Sequence, residues 1–162
     1  MDTTRAGRPE QPLKLILSWS DISRAVDQLI RSLRTDYDAM LVITRGGMVP
    51  ACLISERLDI RDILVAAVQL YTGIGTTLDA PTFLQFPADE LLKGRSILIV
   101  DDVWDSGRTA VAVRERIKAA GGKPEVAVLH YKPRASRFPD DRPDYYAEIT
   151  DDWIVYPWDY DR

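Results

Sequence analysis

The residues with the most chemistry in them are Asp101, Asp102 and Asp105, followed at once by Ser106-Gly107-Arg108-Thr109. The surrounding run, ILIVDDVWDSGRTA over residues 97–110, reads as an apolar strand, two adjacent acids, a third acid, then a Gly and hydroxyls opening a helix. A helix start offers free N–H groups and the positive end of the helix dipole, and together these hold a phosphate. Gly107 lets backbone approach such a ligand closely, and the hydroxyls of Ser106 and Thr109 can add hydrogen bonds. Asp101 and Asp102 can accept from the paired hydroxyls of a ribose or help hold a Mg²⁺ ion. Asp105 lies on the open side of the same loop. The Gly-Lys-Ser/Thr of an NTPase loop and the Gly-x-Gly-x-x-Gly of a dinucleotide fold are both missing here. A polar strand-to-helix turn with an Asp cap would explain one acid and Ser106, but not three acids.

A second candidate anion site is LVITRGGMVP, residues 41–50. A strand ending in Thr44-Arg45-Gly46-Gly47 makes a sharp turn whose amides point outward beside a fixed positive charge. Arg45 can fork across two phosphate oxygens where a Lys cannot. Taken alone, the turn is equally well read as a Gly-rich connection with a solvated Arg. A third unusual strand end is Tyr131-Lys132-Pro133.

These residues need elements to position them. Lys14–Ser18 reads as a short strand, and Ser20 as the N-cap of a helix whose face repeats Ile22, Ala25, Val26, Leu29, Ile30 and Leu33. Ala39–Thr44 reads as a buried strand, and Val49–Arg57 as a helix with Val49, Cys52 and Leu53 facing inward. Strands are expected at Ile63–Leu70, Ser96–Val100, Glu125–His130 and Trp153–Tyr156, with a helix over Thr109–Ala120 stopped by Gly121-Gly122. Tyr71–Asp89 shows no periodicity and reads as a mobile lid loop, and residues 1–11 as a flexible arm before a domain over 12–162. Strands alternating with helices predict a single α/β domain, a mostly parallel sheet with helices on both faces. Ligands in such folds sit beyond the carboxyl ends of the strands, which is where the unusual residues fall.

The chain of 162 residues is 46% apolar and 28% charged, with a net charge of -4. That balance excludes broad nucleic-acid or anionic-membrane binding, which needs an excess of Lys and Arg. A single cysteine, Cys52, excludes an intrachain disulfide and suits a reducing cytoplasm. The polar opening MDTTRAGRPEQP is not a secretory signal, and no apolar run approaches the ~20 residues of a membrane span. One histidine, His130, cannot supply a His-rich metal site, so chemistry falls to carboxylates, backbone groups, Lys and Arg.

ILIVDDVWDSGRTA closely resembles the PRPP motif of the type I phosphoribosyltransferases, enzymes that transfer ribose 5-phosphate from phosphoribosyl pyrophosphate (PRPP). The resemblance spans roughly Leu41 to Asp159 and implies their fold with its small hood region, a Mg²⁺ requirement and a homodimer or homotetramer. It implies that Asp101 and Asp102 hold the ribose hydroxyls and Ser106, Gly107, Arg108 and Thr109 the 5-phosphate. Asp105 becomes the catalytic carboxylate beside purine N7, as general base or charge stabiliser. Arg45 and Gly46 become the pyrophosphate loop, so that two anion sites serve a substrate with phosphates at both ends. The segment DDWIVYPWD, with Tyr131-Lys132-Pro133, is similar to the 6-oxopurine branch, the xanthine–guanine and hypoxanthine enzymes. This implies that Lys132 donates to purine O6, Trp153 lies against the base, and the Ile154 carbonyl meets the C2 side. Asp102 and Asp159 would serve the metal. Trp104 departs from the smaller aliphatic residue usual in the family and is expected to pack outward without a role. Two other readings share these residues: a non-catalytic PRPP- or nucleotide-sensing regulator on the same fold, and a transferase for another nitrogen base.

Overall fold

The computed structural model describes residues 13–70 and 81–160. Its elements run β1 (Lys14–Ile16), α1 (Trp19–Ser32), β2 (Ala39–Ile43), α2 (Met48–Leu58), β3 (Ile63–Leu70), β4 (Pro81–Gln85), a 3₁₀ turn (Asp89–Leu91), β5 (Ser96–Trp104), α3 (Arg108–Ala119), β6 (Lys123–Tyr131), β7 (Tyr145–Ile149) and β8 (Trp153–Val155). The main sheet has the order β4-β3-β2-β5-β6-β7 and is parallel except for the β3–β4 pair.

The central strands read as unbroken apolar runs because both of their faces are covered. Met40 and Val42 of β2, Leu98 and Val100 of β5, and Ala127 and Leu129 of β6 pack with Ile22, Val26 and Leu29 of α1 and Ile54 of α2. The intervening residues Leu41, Ile43, Ile97, Ile99, Val126 and Val128 pack on the other side with Ala110, Val113 and Ile117 of α3. Period-two alternation thus splits each strand between two cores. Each fully buried Leu or Ile contributes about 1.5–3 kcal/mol, which holds the sheet rigid beneath the loops at its carboxyl edge.

Several expectations need correction. Helix α1 is capped two residues before the predicted position. Ser18 is the N-cap: its hydroxyl accepts from the Asp21 N–H at 3.2 Å, while the Asp21 carboxylate accepts from the Ser18 N–H at 2.7 Å. An acid three residues after Ser completes this box, a pairing that Ser20 lacks. In α2 the buried apolar residues are Pro50, Ala51 and Ile54, and Leu53 packs partly buried against the same core as expected, whereas Cys52 is exposed.

The expected lid loop is in part ordered structure. Residues 71–80 of it lie outside the described residues, but Pro81–Gln85 forms the antiparallel edge strand β4. Pro81 is tolerated there as the first residue of an edge strand. Strand β7 was missed, since YYAEI mixes buried and exposed positions at the opposite edge. Strand β8 does not join the main sheet. It pairs in parallel with β1 to form a separate two-stranded hood, Lys14 standing beside Trp153.

Candidate active site

Strand β5 outruns its neighbour. It pairs with β2 only as far as Val42↔Val100, while on its other side it stays paired with β6 to Trp104↔Tyr131. Asp101 and Asp102 therefore lie within the strand, on a stretch with one edge open. The Thr44–Gly47 turn fills that edge, where the Thr44–Arg45 peptide bond is cis. A Cβ on Gly47 would stand 2.4 Å from the Val100 carbonyl oxygen and 3.2 Å from the Asp101 Cα. A Cβ on Gly46 would stand 2.5 Å from the Asp102 carboxyl carbon and from both its oxygens. Only a side-chain-free pair of residues lets the turn pass this close to the two acids.

The acids themselves are crowded. The Asp101 carboxylate accepts from the Asp102 N–H at 2.9 Å. Burial, then the Asp102 charge, pushes the Asp101 carboxyl well above its ordinary range. Burial also raises Asp102, with the Asp159 charge adding to it. Behind them, the Tyr156 hydroxyl donates to the Asp102 carbonyl at 3.1 Å and meets His130 Nδ1 at 2.9 Å. The Asp159 carboxylate accepts from the Tyr156 N–H at 2.9 Å, which brings the C-terminal segment to the same acids.

The phosphate-type turn follows. Gly107 adopts φ +79 as the residue before α3, and the Ser106 hydroxyl accepts from the Arg108 N–H at 3.3 Å. The opening amides of α3 are thereby presented at a helix N-terminus with Thr109 in its first turn. Trp104 turns inward, contrary to expectation. It is 1% exposed and lies under Gly107.

Lys132 is buried, 9% exposed, and its N–H donates to the Trp104 carbonyl at 2.9 Å. Its ammonium lies 4.0 Å from the Asp105 carboxylate and 6.0 Å from the centroid of the Trp153 ring. Trp153 is 61% exposed, which leaves an indole at the hood without a protein layer over it. A surface Lys and a core Trp would have shown the opposite burial.

A cavity of about 610 Å³ gathers Arg45, Gly46, Asp102, Trp153, Ile154 and Asp159. Asp105, Ser106, Gly107, Arg108, Thr109 and Lys132 lie outside its lining, around the adjoining turn. Sequence reasoning missed Lys14, Val155, Trp158 and Tyr160, which also line it. Lys14 is brought in by the β1–β8 pairing, for which no local sequence signal exists. Trp158 stacks on Tyr156 with ring centroids 4.6 Å apart. Among the described residues, no group of three or more His, Cys, Asp or Glu is arranged to hold a metal. A cation here would draw part of its oxygen shell from a substrate.

Paired acids beside an Arg-Gly turn, next to a helix start, have the chemistry to take a phosphorylated sugar. The phosphoribosyl transferase domain family matches residues 14–162, and the chain belongs to that family. It is 35% identical over 153 residues to the xanthine-guanine phosphoribosyltransferase of Cereibacter sphaeroides, covering 88% of this chain and 85% of that one. Among solved structures, it resembles a purine phosphoribosyltransferase from Pyrococcus horikoshii (TM-score 0.79, 34% identity, 92% of this chain and 95% of the other). It also resembles a Neisseria gonorrhoeae protein with bound ppGpp (TM-score 0.80, 29% identity, 94% and 92%). No helix among the described residues is long and apolar enough to cross a membrane.

Proposed function

We propose that this phosphoribosyltransferase joins a 6-oxopurine, namely guanine, hypoxanthine or xanthine, to the ribose 5-phosphate of PRPP and releases pyrophosphate. The observation that carries the choice of base is the buried Lys132 ammonium beside Asp105 and the exposed Trp153 ring. An ammonium has donors only, so it matches a purine 6-oxygen and repels the amino group of adenine. Trp153 supplies a stacking face, and the Ile154 carbonyl accepts from the C2 side.

In this reading Asp101 and Asp102 accept from the ribose hydroxyls, and the amides from Ser106 to Thr109 bind the 5-phosphate. Arg45 and Gly46 hold the pyrophosphate. Asp105 takes or stabilises the N7 proton as the purine N9 attacks C1 of the ribose. The protein's contribution is orientation and charge placement rather than covalent chemistry.

The residues present suit Mg²⁺. Burial, then the charge of Asp102, raises the pKa of Asp101, and burial raises that of Asp102, to which Asp159 adds a further negative charge, so this acidic cluster favours a cation. Asp102 and Asp159 would hold the ion together with substrate oxygens. When bound it supplies charge neutralisation on the pyrophosphate. We further read the enzyme as cytoplasmic and homo-oligomeric, a dimer or tetramer that light scattering would separate.

Guanine, hypoxanthine, xanthine, adenine, uracil and orotate should be offered with PRPP and Mg²⁺ while pyrophosphate is followed. Turnover with the three 6-oxopurines and little with the rest is expected; turnover with uracil or orotate alone would overturn the choice of base. A second ligand follows from the Neisseria gonorrhoeae neighbour, which holds ppGpp. A guanosine carrying two pyrophosphates combines the chemistry of the base side and the phosphate side. It is expected to inhibit this enzyme competitively with PRPP, and unchanged initial rates at saturating ppGpp would exclude it.

A further inference from the structure

We propose that Trp104 is a positioning residue for the substrate's 5-phosphate, its indole forming the floor on which the phosphate loop rests. The proposal depends on the phosphoribosyltransferase reading above. Trp104 ends β5, paired with Tyr131 of β6, and is 1% exposed. A Cβ on Gly107 would meet the indole Nε1 at 2.4 Å, Cε2 at 2.5 Å and Cζ2 at 2.8 Å. The turn that presents the first amides of α3 is therefore in direct backbone contact with the ring. Gly at 107 answers two demands at once, a positive φ and this contact.

The ring is fixed from three sides. Its Nε1–H donates to the Ser136 hydroxyl at 3.1 Å. Tyr131 meets it edge-on, centroids 6.4 Å apart at 84°. The Arg114 guanidinium lies 5.9 Å from the ring, and Arg114 is itself paired with Asp141. Ser136 belongs to the loop after Lys132, and that loop is tied to the phosphate turn by the Arg137 N–H donating to the Ser106 carbonyl at 2.9 Å. Indole, loop and turn thus fix one another. A phosphate cradle made of amides works only if those amides are aimed before the ligand arrives.

The indole side chain and the Trp104 backbone serve different halves of the site. Lys132 is held through the Trp104 carbonyl, which any residue at position 104 supplies. Removing the indole should therefore loosen the phosphate turn and spare the base side. That asymmetry separates positioning from general destabilisation, which would lower every parameter together.

The test is initial-rate kinetics of Trp104→Leu, Trp104→Phe and Ser136→Ala, with PRPP and guanine varied in turn and melting temperatures recorded. Trp104→Leu should raise the KM for PRPP about 10- to 100-fold, the scale expected for a misaimed binding group. The KM for guanine and kcat should stay within about threefold, the pattern of lost uniform binding to one substrate. Ser136→Ala removes only the Nε1 anchor and should raise the PRPP KM by about threefold, with Trp104→Phe between the two. If Trp104→Leu does not fold, the other two variants carry the test. An unchanged PRPP KM in both, or a loss shared equally by guanine, overturns the proposal. A wild-type enzyme inactive with PRPP on every base would overturn the function reading as well, so the two failures are distinguishable.

Discussion

Asp101 and Asp102 are walled in by the Gly46-Gly47 turn, by β6 and by Tyr156, whereas Asp105 keeps a 59% exposed side chain, 4.0 Å from the Lys132 ammonium. The first pair is held in one geometry at an electrostatic cost, visible in both raised pKa values. The third acid is left free to meet a ligand. In the proposed function, sugar recognition is built into the fold before binding, and the acid assigned to the chemistry is completed by the base. Preorganised charge of this kind trades stability for function.

The contrast breaks most visibly at Asp105. Asp105→Asn should lower kcat about 10²- to 10⁴-fold, the usual share of a general acid–base group. The KM for PRPP should barely move, and steady-state kinetics with guanine would check both; near wild-type turnover would remove Asp105 from the chemistry. Next in size is Lys132→Met, which keeps the length and removes the donor. The kcat/KM for guanine should fall roughly 100-fold, as for a lost charge-assisted hydrogen bond, and discrimination against adenine should narrow.

On the walled side, Gly46→Ala drives a methyl into the Asp102 carboxylate. The KM for PRPP should rise about tenfold, reflecting a displaced loop rather than a lost contact. An unchanged KM would mean that Asp102 is not confined.

The smallest effect concerns stability. The fold favours the protonated form of Asp101, whose pKa is raised above 3.8. Below that ordinary value the group is protonated in both states and costs nothing. As pH rises from there toward the raised folded-state value, its ionisation increasingly destabilises the ligand-free protein. Asp101→Asn removes the cost, so at pH 7–8 its Tm should exceed wild type by a few degrees, and the gain should vanish near pH 4. Thermal melts across that range check the sign; a variant less stable at pH 8 would mean that Asp101 is stabilised by its surroundings.

What could be read in the sequence followed from how local each signal was. Strands β2, β5 and β6 were legible because burial on both faces leaves continuous apolar runs. Strands β4 and β7 were not, because edge strands mix exposed positions among buried ones. The β5–α3 motif was legible as a contiguous word. Lys14 was not: it reaches the cavity only through pairing with Trp153, at the far end of the chain. Trp104 was misread as outward-facing, since nothing in ILIVDDVWDSGRTA says that the loop folds back onto the ring.

The central claim is that the turn from Asp101 to Thr109 grips a ribose by its hydroxyls and a phosphate by its amides. Titration calorimetry in the presence of Mg²⁺ with guanosine 5-monophosphate, and in parallel with guanosine, tests it most directly. Saturable one-site binding of the monophosphate, far weaker for the nucleoside, is the predicted result. Equal affinity for the two, or no heat with either, would contradict it.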